Sequence, residues 1–243
     1  MKIALATAAF LNNETEKNMN TIKHYMKQAK AEQVELLLFG ESFLQGFDAL
    51  TWNPDIDKKI AISQDHVFIQ SLKDFCRQLE ISLGFGYMEK SGEEFFCSYI
   101  FIDYLKATSV NYRRLSEGWR VPQSDDTFYK EGDEFKVFDY KGYKTTIGLC
   151  GDLWTPEVAN KMPADVEIVI WPNFFTCSIA FWEQEEFAAY VNHAKTFAPN
   201  VFFLNSICND EGSKASGGAF AIIDGQLKHE KSMGEVGLLT FEI

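Results

Sequence analysis

The sequence predicts an α/β protein with two mixed β-sheets and helices on their outer faces. Its opening segment reads strand, helix, strand, which implies a parallel pair joined by a crossover. Between Ile81 and Tyr112 come three further strand-like runs separated by turn signals, an antiparallel meander added to that unit. The second half again alternates strand and helix patterns and again ends in an antiparallel excursion.

Lys2 to Phe10 is a strand-type apolar run. Glu14 to Gln33 carries Met19, Ile22, Tyr25, Met26 and Ala29 at helical spacing. Val34 to Phe39 is almost uniformly apolar, as in a strand covered on both faces. Asp48 to Ser63 reads as an irregular loop and Gln64 to Leu79 as a second helix. Ile81 to Met88, Glu94 to Asp103 and Ala107 to Tyr112 are the meander strands. Phe135 to Tyr140 and Tyr143 to Leu149 flank Lys141-Gly142 as a hairpin. Pro156 to Met162 is a short helix, Val166 to Trp171 a strand, Ala180 to Phe197 a long helix and Val201 to Ser206 a buried strand. Ser216 to Gly225 opens with small residues and runs as a strand into a turn, and Val236 to Ile243 closes the chain.

An apolar fraction of 46% with 24% charged residues suits a globular protein, and no linker or repeat divides residues 1–243, so a single domain is expected. The formal charge of −12 argues against nucleic acid or an anionic membrane surface as partner. No stretch approaches the ~18 apolar residues of a spanning helix, and the N-terminal segment turns polar too soon for a signal peptide. The five cysteines, Cys76, Cys97, Cys150, Cys177 and Cys208, share no short spacing. That pattern suits a reducing, cytoplasmic setting and gives no zinc spacing; no metal or cofactor is expected.

Three segments carry reactive side chains at strand ends. In Lys144-Thr-Thr-Ile-Gly-Leu-Cys150-Gly-Asp152-Leu-Trp-Thr-Pro156-Glu157 an apolar strand ends at a cysteine just before a helix start. Cys150 there reads either as a nucleophile, its thiolate favoured by the helix's first N–H groups, or as a small buried apolar residue. Glu41 follows the second strand among Leu, Phe and Gly, where it is either a solvated loop residue or a desolvated proton shuttle. Arg113, Arg114 and Arg120 form the one basic cluster, suited to bidentate bonds with a substrate carboxylate. A thiol, a carboxylate and a cation together suit acyl transfer from an amide or nitrile. Cys177 is the rival nucleophile but lacks a helix start and an acidic partner. None of His24, His66, His193 and His229 is placed as a base.

Over nearly its whole length the chain resembles the nitrilase, or carbon-nitrogen hydrolase, superfamily. Leu38 to Phe47 is similar to the family's glutamate motif, with Gly40 where proline is usual. Gly148-Leu-Cys150-Gly-Asp152-Leu-Trp-Thr-Pro156-Glu157 is similar to the nucleophile motif G-x-x-C-x-D-x-x-x-P-E. Trp171-Pro172-Asn173, Phe181-Trp182 and Gly217-Gly218-Ala219-Phe220-Ala-Ile-Ile-Asp224 resemble later family segments. The family has Y-R-K where this chain has Tyr112-Arg113-Arg114, so arginine stands in the lysine position. The resemblance implies a four-layer αββα sandwich that forms dimers or higher homo-oligomers. It also implies Cys150 as nucleophile, Glu41 as base and acid, and Arg114 as electrostatic stabiliser. Glu117 before Gly118-Trp119 looks like an additional carboxylate of some amidase branches. Arg113, Trp154 and Asn173 become substrate-binding candidates, and the expected partner is a small-molecule amide. Loss of lysine chemistry leaves a second reading, a catalytically silent scaffold or small-molecule binder.

Overall fold

Lys2–Thr7 (β1) sends Ile3 and Leu5 to one face and Ala4 and Ala6 to the other, and all four are sealed from solvent. A strand buried on both faces needs cover on both sides. In the computed structural model, which describes residues 1–243, one side is covered by Thr15–Ala31 (α1), with Ile22, Met26 and Ala29 turned inward. Leu36–Leu38 (β2) lies parallel to β1. After the short helix Pro54–Asp57 (α2), Val67–Leu79 (α3) packs beside α1 through Ile69, Leu72 and Cys76. Ser82–Ser91 (β3) pairs parallel with β2, and Glu94–Asp103 (β4) and Thr108–Arg113 (β5) continue antiparallel.

The second half builds the same plan. Val137–Tyr140 (β6) and Tyr143–Ile147 (β7) form the hairpin. Pro156–Ala159 (α4) leads to Ile168–Asn173 (β8), parallel to β7. Ile179–Phe181 (α5), a π-helical turn Trp182–Glu186 and Phe187–Ala194 (α6) then return the chain to Asn200–Asn205 (β9), parallel to β8. A two-stranded ladder, Ile207–Cys208 (β10) with Ala215–Ser216 (β11), precedes Ala219–Ile223 (β12) and Gln226–Lys231 (β13), both antiparallel. Gly237–Glu242 (β14) crosses back to pair with β1.

Two six-stranded sheets result, ordered β14-β1-β2-β3-β4-β5 and β13-β12-β9-β8-β7-β6. Each has three parallel strands at its centre and antiparallel strands at both sides. Ile3, Leu5, Leu36 and Leu38 of the first sheet share a core of 39 buried residues with Val169, Val201 and Phe203 of the second. A second core of 25 residues lies between the first sheet and helices α1 and α3. The layers are therefore helix, sheet, sheet, helix, as expected.

Three expectations change. The helix expected over 180–197 is continuous but carries a π turn, which leaves Trp182 buried and Glu183, Gln184 and Glu185 exposed. The expected loop over 48–63 contains α2, organised by the buried Asp57 carboxylate, which accepts hydrogen bonds from Thr51 N and Oγ1, Trp52 N and Tyr129 OH. The strand β13 was not anticipated, because Gln226-Leu-Lys-His-Glu-Lys is charged; such a sequence suits an exposed sheet edge.

Gly86 on β3 passes directly beneath Glu41 and Ser42. A Cβ there would fall on Ser42 N and lie 2.7 Å from Glu41 C and 2.8 Å from Glu41 Cα, all backbone atoms. Overpacking of this kind costs about 1–3 kcal/mol, so Gly86→Ala is expected to lower the melting temperature by about 2–12 °C in a thermal scan. An unchanged melting temperature would show that the 41–42 turn yields freely.

Candidate active site

The three reactive segments follow β2 and β5 of the first sheet and β7 of the second, and hydrogen bonds between the segments bring them together. Glu41 lies beyond β2 and is pinned from both sheets: Gly86 N donates to Gly40 O at 3.1 Å, and Glu41 N donates to Asn173 O at 3.3 Å. Arg114 is the first residue past β5, and its N–H donates to Cys97 O at 2.8 Å. Cys150 opens the 3-10 turn Cys150–Asp152 past β7, with a left-handed φ of 43°. A non-glycine residue in that region costs of order 1–3 kcal/mol, a strain the surrounding structure must hold.

The side chains interlock. Arg114 Nη1 donates to Glu41 Oε1 at 2.8 Å and Nε donates to Ser116 Oγ at 2.9 Å. Glu41 is fully buried and Arg114 is 4% exposed. Cys97 Sγ donates to the same Glu41 Oε1 at 3.2 Å, and Phe174 N donates to Oε2 at 3.2 Å. Arg114 Nη2 makes no hydrogen bond, yet it is not among the polar atoms sealed from solvent without a partner. It lies beside Gly151, the residue after the thiol. Cys150 Sγ points at Phe174 O, 3.8 Å away, and Cys150 O accepts from Trp171 Nε1 at 3.0 Å.

Asp152 ties the thiol turn to the arginine segment. Its buried carboxylate accepts from Tyr112 OH at 2.7 Å, Ser116 N at 2.8 Å, Leu149 N at 2.9 Å and Leu115 N at 3.0 Å. Burial raises its pKa above the ordinary value although Arg114 and these donors favour the charged form. Burial also opposes the Arg114 charge, but Glu41 and its neighbours outweigh it and the guanidinium holds its proton more firmly than usual. The Cys150 thiol is pushed up to about 12, first by burial and then by the Glu41 charge, with Arg114 pulling the other way. This corrects the expected helix-activated thiolate: the turn at Cys150 is too short to supply a helix terminus, and α4 starts only at Pro156.

Glu41, Arg114 and Cys150 thus meet, and the six other candidates are placed differently. Arg113 points away from Arg114, as alternation along a strand requires. Its Nε and Nη2 hold Glu89 at 3.1 and 2.8 Å and its guanidinium lies 3.7 Å from the Phe96 ring centroid, so it is not a free anion receptor beside Cys150. Arg120 is likewise engaged, by Glu131 at 2.6 Å and by Asp126. Glu117 is solvent-exposed in the turn Glu117–Trp119 and bonds to none of the three. Trp154, 40% exposed, stacks on the His193 ring at 3.9 Å, and His193 Nε2 hydrogen-bonds Leu153 O at 2.7 Å. Asn173 sits under the site: its main-chain oxygen holds Glu41 N, its Nδ2 bonds Trp171 O and its Oδ1 is buried without a partner. Cys177 contacts Met233 Sδ at 3.9 Å and stands outside the cluster.

Cys97 and Phe174 were missed by sequence reasoning. Cys97 lies beside Arg114 through the β4–β5 register, and that register was the only available signal. Phe174 contributes a backbone N–H, which no side-chain pattern encodes. Gly40 is accounted for by space, since a Cβ there would collide with Ser206 Oγ and lie 3.0 Å from Asn173 O. No three His, Cys, Asp or Glu side chains are grouped to hold a metal ion, and no helix is long and apolar enough to cross a membrane.

Comparison with known proteins agrees with this fold. The carbon-nitrogen hydrolase family model matches residues 2–224. N-carbamoylputrescine amidase of Arabidopsis thaliana is 24% identical over 164 residues, 66% of this chain and 54% of that protein. Citrullinase of Francisella tularensis is 23% identical over 174 residues, 71% of this chain and 60% of that protein. The chain therefore spans a little over half the length of these relatives. Among solved structures, an amidase from Nesterenkonia sp. superposes with a TM-score of 0.80 at 18% identity, over 100% of this chain and 90% of that one, which shows a shared fold. A mutant of the Nesterenkonia sp. AN1 amidase carries the acetamide moiety of fluoroacetamide on its active-site cysteine.

A thiol whose pKa lies near 12 is neutral at pH 7, and its thiolate fraction grows tenfold per pH unit below that value. Iodoacetamide alkylation of Cys150, followed by peptide mass spectrometry, is therefore expected to accelerate continuously from pH 7 to 10. A plateau below pH 9 would mean that the thiolate already dominates at rest.

Proposed function

The chain belongs to the carbon-nitrogen hydrolase family, and on that premise we propose that it hydrolyses a small amide through a thioester formed on Cys150. The observation that carries this reading is the convergence of Cys150, Glu41 and Arg114 at the contact between the sheets, with one guanidinium nitrogen left unpaired beside the thiol turn.

The resting thiol is neutral, so attack needs a base. Glu41 is the only carboxylate in direct contact with Arg114, and its Oε2 bears a single donor, Phe174 N–H, leaving room to accept the thiol proton. Sulfur then bonds to the carbonyl carbon, and the negative charge passes to oxygen, stabilised by Arg114 Nη2. Collapse expels the amine, which takes the proton held by Glu41. Water, deprotonated by Glu41, opens the thioester, releasing the carboxylic acid and returning the thiol its proton. Amides are preferred over nitriles as the substrate class because the similar enzymes are amidases. The reading includes one domain over residues 1–243 and a cytoplasmic setting, in keeping with five free cysteines. It also includes a homodimer or larger assembly, in keeping with exposed Ile179 and Phe181 on the short helix α5.

A second reading, a silent scaffold or small-molecule binder, is favoured by the occupation of Glu41 Oε1 by both Arg114 and Cys97. Ammonia release from a panel of small amides separates the two. For the hydrolase, Cys150→Ala abolishes the acyl-enzyme detected by mass spectrometry and lowers kcat by at least about 10³-fold, and Glu41→Gln blocks its formation. If wild type is inactive and Arg114→Lys alone gains turnover, the silent reading stands.

A further inference from the structure

An arginine in the site requires more room than the usual lysine, and two glycines supply it. A Cβ at Gly151 would lie 2.7 Å from Arg114 Nη2 and 3.1 Å from Ser116 Oγ, while a Cβ at Gly118 would lie 3.0 Å from the same Nη2. Neither glycine has a positive φ, so backbone conformation does not demand glycine at either position. What excludes a side chain is the guanidinium. Arg114 cannot swing aside: its rigid plane is held at Nε by Ser116 Oγ and at Nη1 by Glu41 Oε1, and the residue is 4% exposed.

We infer that Gly151 and Gly118 are positioning residues that form a slot for Arg114 Nη2 and keep that nitrogen unpaired and directed beside Cys150. The two positions are coupled to the identity of residue 114. An ammonium has no second nitrogen branch, so with lysine at 114 the slot has nothing to hold and a methyl group at 151 meets only the Ser116 hydroxyl, which no arginine Nε then fixes in place. Gly151 also neighbours the thiol in the chain, so displacement of Nη2 removes the positive charge that favours its ionisation.

The inference rests on the proposed role of Arg114, but its test needs no turnover. The rate of iodoacetamide alkylation at Cys150, read by peptide mass spectrometry at pH 9, is compared in wild type, Gly151→Ala, Arg114→Lys and the double variant. Gly151→Ala is expected to slow alkylation about tenfold or more in the arginine background, because ångström-scale displacement in such sites costs on the order of 10–100-fold. In the Arg114→Lys background the same substitution is expected to change the rate by less than about twofold. Equal slowing in both backgrounds would mean that a methyl at 151 merely obstructs the reagent, and the slot would be refuted. Gly118→Ala, with its looser contact, is expected to repeat the pattern with a smaller loss. It carries the cycle should far-ultraviolet circular dichroism show Gly151→Ala unfolded. Lack of ammonia release in all four proteins would count against the hydrolase reading and leave this coupling intact.

Discussion

The buried ion pair of Glu41 and Arg114 is the constraint on which the rest of the site depends. Both groups are almost wholly removed from water. The effective penalty for burying an ion is several kcal/mol, and attraction offsets it only when geometry is good and the remaining donors and acceptors are satisfied. Here Ser116 Oγ, the Cys97 thiol and Phe174 N–H supply those further bonds. They come from segments of both sheets, so the pair is fully satisfied only when the sheets are docked in one register. Net stabilisation from such a pair is small, whereas removing one partner costs about 3–5 kcal/mol. Its effect is to select one arrangement of the strand ends.

Asp152 extends that selection to the turn that carries Cys150. Four donors, from residues 112, 115, 116 and 149, converge on one carboxylate. Three belong to the end of β5 and the arginine segment that follows it, and one to the thiol turn past the second sheet. A residue with a left-handed φ at Cys150 would relax if its turn were free. The carboxylate two residues on, the Trp171 bond to Cys150 O and the docked arginine deny it that freedom. Close packing of Gly151 against the guanidinium belongs to the same arrangement: the turn and the cation fit only together.

What was legible in the sequence follows from how local the signal was. Apolar runs and helical spacing located almost every strand and helix, because burial on both faces leaves long apolar stretches in β1, β2, β8 and β9. The edge strand β13, being polar, left no such trace. Cys150 and Glu41 were found from their positions past strand ends. Arg113 and Arg120 were grouped with Arg114 by proximity in sequence, but alternation along β5 turns Arg113 to Glu89, and Arg120 is engaged by Glu131. Glu117 stands apart because the turn that carries it buries Trp119 and leaves Glu117 in solvent. Cys97, Phe174 N–H and the glycine slot depend on cross-sheet register and on empty space, neither of which one chain's residue pattern specifies.

The exchange of lysine for arginine bears on the proposed chemistry through charge conservation. Arginine keeps its proton throughout, so every proton movement falls to Glu41. Before attack the ion pair is Glu41 with Arg114, beside a neutral thiol, and Asp152 keeps its own four donors throughout. After the thiol proton moves to Glu41 and sulfur adds to the carbonyl, Glu41 is neutral and the anion is the substrate oxygen. The cation has not moved; only its partner has changed, from the oxygen at Nη1 to the one at Nη2. No step requires an unpaired charge in a desolvated cavity, where it would be most costly. The planar guanidinium presents both nitrogens on one rigid frame, and that geometry lets a single fixed cation serve the two anions in turn.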